Sequence, residues 1–299
     1  MPRECEGRVA LVTGASQGGT GTCLAIRLAA EGARVAITAR SEEGLEATRK
    51  RIEAVGERPL ILPCDLSDPE GGRRELVAAT EKTLGPVDIL VNNAAAGNYQ
   101  PFDRFERRDL EISQEVNVFG PWELMQAVLP GMRSREIGWI VNMTTAVAEL
   151  PIGPPFPNAG PAKAGTLYGG TKAMLNRVTV GVAAEVEGKG IAVNALTPQA
   201  AILTPQLKPA HDQGLIHKDL FEPLETMVEA AMAFCTEGPD SLHARIGYSL
   251  DLLVERDRPV YDLAGRDLIA GWQPADLRSR IRLQKETVQA QRGGGYGLD

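Results

Sequence analysis

The chain has 299 residues, of which 43% are hydrophobic and 24% are charged, and its formal net charge is -7. This acidic balance argues against a nucleic-acid-binding surface. No apolar run reaches the roughly 18 residues of a membrane span, and the amino terminus lacks the apolar stretch of a signal peptide. We expect a globular cytoplasmic protein with neither a nucleic-acid nor a membrane partner.

The spacing of cysteine and histidine gives no indication of a metal site. The residues concerned are Cys5, Cys23, Cys64, Cys235, His211, His217 and His243. None of the cysteines forms a CxxC pair, and the histidines are equally scattered. The sequence therefore predicts free thiols in a reducing compartment and no metal.

Along the first two hundred residues, short apolar runs alternate with amphipathic stretches, as in βαβ units. Strands are predicted at 8–13, 34–39, 59–63, 87–91, 139–143 and 191–196, and helices at 20–31, 69–84, 107–133 and 166–187, with a further helix capped by Ser41. Short connections and buried β-branched strands place helices on both faces of the sheet. The prediction is a doubly wound parallel sheet in three layers, the Rossmann fold. Residues 1–270 should form one domain, and residues 271–299 a partly disordered tail.

A glycine-rich turn joins the first strand to the first helix. Its residues are Thr13-Gly14-Ala15-Ser16-Gln17-Gly18-Gly19-Thr20-Gly21. Glycines permit positive φ and let the backbone approach a pyrophosphate at a helix N-terminus. The strand–turn–helix context favours a dinucleotide site, and a tight turn without a ligand is the alternative.

The residue after the second strand bears on which dinucleotide binds. Ala39 offers no carboxylate for a ribose 2′-hydroxyl, and Arg40 follows it. The arginine fork matches a phosphate. The sequence favours NADP(H) over NAD(H), and an Arg40 that is merely solvated at a strand end is the alternative.

Tyr168 and Lys172 lie four residues apart on a predicted helix, so their side chains share one face. A nearby ammonium group stabilises a phenolate. A tyrosine in this position can act as a general acid or base on an alcohol or carbonyl oxygen.

In order along the chain, these features resemble the short-chain dehydrogenase/reductase family over residues 7–250. The resemblance rests on the glycine-rich turn, Cys64-Asp65-Leu66, Asn92-Asn93-Ala94-Ala95, Asn117, Asn142-Met143-Thr144-Thr145, Tyr168 with Lys172, and Asn194-Ala195-Leu196-Thr197-Pro198. It implies an NADP-binding oxidoreductase that forms a homotetramer or a dimer. The residues around Pro198 look more like the hydroxysteroid-dehydrogenase branch than like the acyl-carrier-protein reductases.

The resemblance also implies a cofactor site. Its residues would be Gly14, Ser16, Gly18, Gly19, Gly21, Arg40, Asp65, Leu66, Asn92, Ala94, Tyr168, Lys172, Ile202 and Thr204. Asp65 would bind the adenine amino group beside the Leu66 amide, and a helix cap is the alternative role for Asp65. The Ile202 backbone and the Thr204 hydroxyl would bind the nicotinamide carboxamide.

Four residues are implied in catalysis. Asn117 would hold a relay water, with helix packing as its alternative role, and Thr145 would orient the substrate carbonyl. Tyr168 would exchange the proton with the substrate oxygen. Lys172 would bind the nicotinamide ribose and lower the pKa of Tyr168.

The sequence departs from the family pattern in four places. The glycine-rich turn is one residue longer, so Gly18 or Gly19 could be its middle glycine. Thr145 replaces the usual serine and keeps the hydroxyl. Gln199 follows Pro198 where glycine is usual, and Thr204 lies one position further along.

The fourth departure is a proline-rich stretch at 149–165, about ten residues longer than usual, which must be a loop. It is expected to form a wall of the substrate pocket with Pro151, Ile152 and Phe156. The alternative is a surface loop that has no part in the site. Residues 203–226 are expected to form a mobile apolar lid.

These features predict reversible hydride transfer between NADP(H) and an apolar alcohol or carbonyl compound. A non-catalytic NADP-binding sensor is the alternative. Enoyl reduction is disfavoured by the four-residue spacing of tyrosine and lysine.

Overall fold

A computed structural model describes residues 3–151, 153, 164–214 and 217–291. Its strands are β1 (Val9–Thr13), β2 (Arg34–Ala39), β3 (Leu60–Pro63), β4 (Ile89–Asn92), β5 (Gly138–Met143), β6 (Ile191–Thr197), β7 (Ala201–Ile202), β8 (Phe221–Glu222) and β9 (Ile246–Tyr248). Seven of them form one parallel sheet in the order β3-β2-β1-β4-β5-β6-β9, and β7 pairs with β8 in a small second sheet. The predicted doubly wound parallel sheet is confirmed.

Helices connect the strands and cover both faces of the sheet. They are α1 (Thr20–Ala30), α2 (Glu42–Glu53), α3 (Arg73–Leu84), α4 (Arg107–Gln114), α5 (Gly120–Arg135), α6 (Thr166–Glu185), α7 (Lys208–Asp212), α8 (Leu224–Thr236), α9 (Ser249–Glu255) and α10 (Pro274–Gln291). Ser41 caps α2 as predicted, because its hydroxyl accepts a hydrogen bond from Gly44 N at 3.0 Å. None of the described helices is long and apolar enough to cross a membrane.

The core lies in two layers because successive strand residues point to opposite faces. In β1, Ala10 and Val12 pack with α1, α8 and α9, whereas Leu11 packs with α3 and α5. The central strands β1, β4, β5 and β6 are therefore buried on both sides, which explains why they appear as continuous apolar runs in the sequence.

One predicted helix is interrupted. The stretch predicted as a single helix at 107–133 consists of α4, a π-helical turn at Glu115–Phe119 and α5. Wide turns of this kind insert into α-helices, often at functional sites. Asn117 lies in the middle of this turn.

The segment predicted as a tail contains α10, in which Leu277 and Ile281 are buried in the same core layer as α1. Residues 292–299 lie outside the described part of the chain. A domain boundary at residue 270 stays a prediction.

Candidate active site

A cleft opens at the carboxyl edge of the sheet, where the strand order reverses between β1 and β4. Open α/β sheets bind ligands at such switch points. The cleft is lined by Thr20, Asn93, Ala95, Met143, Thr144, Tyr168, Lys172, Pro198, Ile202 and Met227. It therefore brings Tyr168, Lys172 and Ile202 of the predicted site together with the end of the glycine-rich turn.

Two glycines of the turn are needed for close packing on the residues that follow β4. A Cβ on Gly14, whose φ is +70°, would lie 2.8 Å from the Cα of Ala94. A Cβ on Gly21 would collide with the side-chain amide of Asn93. That amide donates to the main-chain oxygens of Thr13 and Gly14 at 2.8 and 3.2 Å. These contacts fix the turn against the cleft.

The outer part of the turn is open and suits a phosphate group. Gly18 has a φ of +72°, and a Cβ there would meet only Pro205, at 3.5 Å. Gly19 is the N-cap of α1 and supplies no side-chain hydrogen bond to the first turn of the helix. Backbone amides at such an end can bind an anion. This geometry fits the predicted pyrophosphate position, and the choice between Gly18 and Gly19 stays open.

Arg40 and Asp65 follow the neighbouring strands β2 and β3, and both side chains are exposed. The pKa of Asp65 is lowered overall. Its partial burial acts to raise the pKa, but the hydrogen bonds from Ser67 and the charge of Arg40 have the larger, opposite effect. The Ser67 bonds, at 2.9 Å from its amide and 2.7 Å from its hydroxyl, form a local turn. Because α3 begins only at Arg73, Asp65 does not cap that helix.

Lys172 is fully buried, and its Nζ donates to the main-chain oxygen of Met143 at 2.8 Å. Burial lowers the pKa of Lys172 to about 8. Burial also raises the pKa of Tyr168 above its usual value, and the neighbouring Tyr99 phenol adds to this effect. The predicted lowering of the Tyr168 pKa by Lys172 stays a prediction, and it would have to overcome this effect of burial.

Helix α6 packs directly on the turn that follows β5. A Cβ on Gly169 would collide with the main-chain oxygen of Val147, so glycine is required for this approach. The turn begins at Thr145, whose hydroxyl accepts a hydrogen bond from Val147 N at 3.3 Å.

Thr144 lines the cleft, and its buried hydroxyl has no partner among the described residues. The chain thus offers an additional free hydroxyl to which the sequence pattern had given no role.

Asn117 joins the loop after β4 to the helix of Lys172. Its Oδ1 accepts from Ala96 N at 2.8 Å, and its Nδ2 donates to the Ala96 oxygen at 2.9 Å and to Thr171 Oγ1 at 3.0 Å. Both amide protons are therefore engaged within the protein. The predicted relay water stays a prediction.

A second network of buried hydrogen bonds lies behind the cleft. Asn92 lies opposite Asn142 in the sheet register and donates to its Oδ1 at 2.8 Å. Asn142 in turn donates to Thr179 Oγ1 in α6 at 2.8 Å. These bonds tie β4 and β5 to the helix that carries Tyr168.

A loop after β4 brings Tyr99 next to Tyr168. The Tyr99 and Tyr168 rings lie 5.5 Å apart between centroids and are tilted by 53°. Two side chains beside Tyr99, those of Asn98 and Gln100, donate to the Asp109 carboxylate at 3.0 and 3.1 Å. Gln100 N also donates to the oxygen of Ala164, just before α6, at 3.1 Å. Tyr99 is half exposed, and no sequence motif pointed to it.

The segment after β6 lies across the opposite side of the cleft. Ile202 is buried and lines the cleft, whereas Thr204 Oγ1 accepts from Leu207 N at 3.3 Å. Gln206 Nε2 donates to the main-chain oxygen of Gln17 in the glycine-rich turn at 3.1 Å. The start of the predicted lid therefore contacts the predicted phosphate site.

The proline-rich stretch is described only at its ends. Glu149 accepts a hydrogen bond from the Tyr248 hydroxyl, and Pro151 is exposed. Ile152 and Phe156, which were expected to shape the pocket, lie outside the described residues.

Sequence comparison connects this site to known enzymes. The profile of the short chain dehydrogenase family matches residues 8–213. A short chain dehydrogenase of Pseudocercospora fijiensis is 36% identical over 199 residues, which are 65% of this chain and 60% of that protein. A fatty acyl-CoA reductase of Mycobacterium tuberculosis is 32% identical over 235 residues, which are 77% of this chain and 76% of that protein.

Solved structures agree with the sequence relatives. A putative short-chain alcohol dehydrogenase from Sinorhizobium meliloti superposes with a TM-score of 0.72 at 29% identity, covering 83% of this chain and 97% of that one. A 3-oxoacyl (acyl-carrier-protein) reductase from Agrobacterium tumefaciens with NADP bound has a TM-score of 0.72 at 27% identity, covering 82% and 93%. The chain belongs to the short-chain dehydrogenase/reductase family of oxidoreductases.

Proposed function

We propose that the protein interconverts a secondary alcohol and a ketone or aldehyde with NADP(H), using Tyr168 as the general acid and base. The observation that carries this proposal is the position of Tyr168 and Lys172. They line the same cleft at the switch point, with the glycine-rich turn ending in its wall. A phenol and an ammonium group at a dinucleotide site suit proton transfer coupled to reduction of a carbonyl.

The chain's own residues would hold the cofactor along the carboxyl edge of the sheet. The open backbone of the turn at Gly18 and Gly19 would approach the pyrophosphate at the start of α1, and Asp65 and Leu66 would flank the adenine. Ile202 would face the nicotinamide end. When bound, NADP(H) supplies or accepts the hydride.

The proton is handled by the buried side of the cleft. In carbonyl reduction, Tyr168 donates its phenolic proton to the substrate oxygen, and Lys172 stabilises the resulting phenolate. The raised pKa of Tyr168 keeps the phenol protonated until a substrate is in place. The hydroxyls of Thr144 and Thr145 orient the carbonyl, and Asn117 keeps Lys172 in position through Thr171.

Arg40 is the proposed reason for a preference for NADP(H). Its guanidinium is exposed after β2 and makes no hydrogen bond or ion pair with any residue that the structure describes, so it is available to a 2′-phosphate. Two structural neighbours support this proposal: the Agrobacterium reductase has NADP bound, and an L-sorbose reductase from Gluconobacter frateurii is complexed with NADPH and L-sorbose.

The proposed substrate is a small or medium-sized apolar carbonyl compound or alcohol. Ile202 and Met227 line the cleft, and the Tyr99 ring stands beside the catalytic phenol. Among the described residues that line the cleft, Lys172 alone is charged, and this lining does not favour a highly charged substrate.

A homodimer or homotetramer is proposed as the assembled form. Trp122 in α5 and Met174 in α6 are 42% and 44% exposed although both are large and apolar. Large exposed apolar side chains on adjacent elements are typical of subunit interfaces.

Turnover of purified protein with NADPH and a panel of ketones and aldehydes tests the proposed reaction. We expect NADPH oxidation with apolar carbonyl compounds and much slower oxidation of NADH. Binding of NADPH without turnover of any carbonyl compound, or of any alcohol in the reverse direction with NADP, would instead indicate a non-catalytic cofactor-binding protein.

A further inference from the structure

A buried carboxylate lies behind the segment that faces the nicotinamide end of the cleft. Glu222 is 1% exposed, in the short strand β8. Its Oε1 accepts from Ala200 N at 3.1 Å, and its Oε2 accepts from Thr226 Oγ1 at 2.7 Å. Ser249 Oγ lies 2.9 Å from both oxygens. The carboxylate is therefore surrounded by hydrogen-bond donors.

The Glu222 carboxylate has no cationic partner in the described part of the chain. The described residues include no Lys, Arg or His within ion-pair distance of Glu222, and its side-chain partners are hydroxyls. Burial raises the pKa of Glu222 to about 7, against the opposing effect of the hydrogen bonds that it accepts. A buried acid without a counter-ion is costly to the fold, so a purely structural role is a poor explanation for it.

The hydrogen bonds of Glu222 converge on one stretch of backbone. Ala200 N bonds to the carboxylate directly, and Gln199 N donates to Ser249 Oγ at 2.9 Å. Leu203 N donates to the main-chain oxygen of Glu222 at 3.0 Å. In the small sheet, Ile202 pairs with Glu222. The Glu222 side chain thus holds Ala200 directly and Gln199 through Ser249, while its main chain bonds to Leu203.

The front of the same stretch is the wall of the cleft. Pro198 and Ile202 line it together with Tyr168 and Lys172. The other two anchors of Glu222 are the first residue of α9, Ser249, and Thr226 in α8, both of which are fully buried. Glu222 therefore ties the cleft wall to two core helices without reaching the cleft itself.

We propose that Glu222 is a positioning residue of the cofactor site, which holds backbone 199–203 in the conformation that binds the nicotinamide end of NADP(H). This inference rests on the proposed function. Because Glu222 acts through the backbone, it sets cofactor affinity and leaves the proton chemistry of Tyr168 unchanged.

The test compares NADPH dissociation constants of purified variants at pH 8, measured by fluorescence titration, with kcat at saturating NADPH. Glu222→Ala should raise the Kd about tenfold and lower kcat less than about threefold, because it releases three donors, Ala200 N among them, from their acceptor. Glu222→Gln should stay within about threefold of the wild-type Kd, since one oxygen remains for Ala200 N and both hydroxyls can rotate to accept.

Leu253→Ala is the matched control. Leu253 is fully buried in α9, the helix of Ser249, and its truncation creates a core cavity. It should lower the melting temperature and leave the NADPH Kd unchanged. If Leu253→Ala weakened NADPH binding as much as Glu222→Ala, general destabilisation would account for the effect and the inference would be wrong.

Ser249→Ala tests the same link if Glu222→Ala fails to fold, and it should raise the Kd several-fold. The positioning role would be overturned, while the proposed function stands, if both Glu222→Ala and Ser249→Ala bound NADPH with wild-type affinity. If Glu222→Ala does not fold, wild-type affinity in Ser249→Ala would overturn it. Absence of NADPH binding by the wild-type protein would overturn both.

Discussion

The two sides of the cleft are built differently. The inner side consists of Lys172 and the buried residues behind it, Asn117, Asn142, Thr171 and Thr179, whose side chains hydrogen-bond to one another or to the backbone. The outer side consists of residues outside the cleft lining, Arg40, Tyr99 and Gln206, which are exposed or half exposed. Buried, satisfied networks are rigid, whereas exposed side chains are free to meet a ligand.

From this difference we expect the inner side to support the chemical step and the outer side to select the cofactor and the substrate. Changes on the inner side should lower turnover with every substrate. Changes on the outer side should alter which cofactor or substrate binds and spare the chemical step. The following variants test this division.

Lys172→Met should have the largest effect of these variants. It removes the ammonium that we propose to stabilise the Tyr168 phenolate, so kcat/KM should fall about a thousandfold. The melting temperature should not fall, because the variant no longer buries a charged group. Steady-state kinetics and thermal melts check both results, with the exposed Lys189→Met as control. Turnover within tenfold of wild type would contradict the division into a catalytic inner side and a ligand-selecting outer side.

Arg40→Ala should raise the NADPH Kd by about ten- to a hundredfold, because a charge-assisted contact to the 2′-phosphate is lost. NADH binding should be unchanged, since NADH lacks that phosphate. Titration of both cofactors measures the difference. Arg58→Ala, at an exposed arginine whose nearest ion-pair distance is 3.6 Å, is the control. Equal losses for NADPH and NADH would remove Arg40 from the selection of the cofactor.

Tyr99→Ala should raise KM for apolar carbonyl substrates about tenfold and change kcat little, because an aromatic surface beside the catalytic phenol is lost. Tyr99→Phe keeps the ring and should behave like the wild type. Phe102→Ala is the matched control, since Phe102 is 77% exposed and close to Tyr99 in the chain. A fall in kcat alone, with KM unchanged, would place Tyr99 with the inner side.

The smallest effect concerns pH. Burial sets the pKa of Lys172 at about 8, so the ammonium is present below that pH and lost above it. The kcat/KM for NADPH, which reports on the free enzyme, should therefore decline above pH 8 and reach about one tenth of its plateau near pH 9. Tyr168 stays protonated through this range because its pKa is raised. Lys172→Arg should abolish the decline wherever it remains active, and a decline unchanged in that variant would assign it to another group.

The sequence predicted where Tyr168, Lys172, Asn92 and Asn142 lie because local spacing determines their positions. Tyr168 and Lys172 share a face by helix periodicity, and the apolar runs before Asn92 and Asn142 place both at the ends of parallel strands. By contrast, the π-helical turn at Asn117 has no periodic signal distinct from that of a continuous helix.

The outer side and its supports depend on contacts between distant segments. Glu222 bonds to Ser249, and Gln206 to Gln17, across stretches that no local pattern connects. The three-residue strand β9 pairs only with β6 and is too short to give a clear alternation. Burial of Arg73, which binds Glu115, Glu123 and the Leu66 oxygen, was likewise invisible because a charged residue is normally assigned to the surface.

Tyr168→Phe, examined in a single turnover with NADPH already bound, tests the central claim most directly. Loss of one hydroxyl should leave the NADPH Kd within about threefold of wild type, because the phenol would be only one of many contacts to the cofactor. The rate of hydride transfer to an apolar ketone should fall at least about a thousandfold, since the variant lacks the phenolic proton that is proposed to reach the substrate oxygen. Hydride transfer within tenfold of the wild-type rate would contradict the assignment of Tyr168 as the general acid.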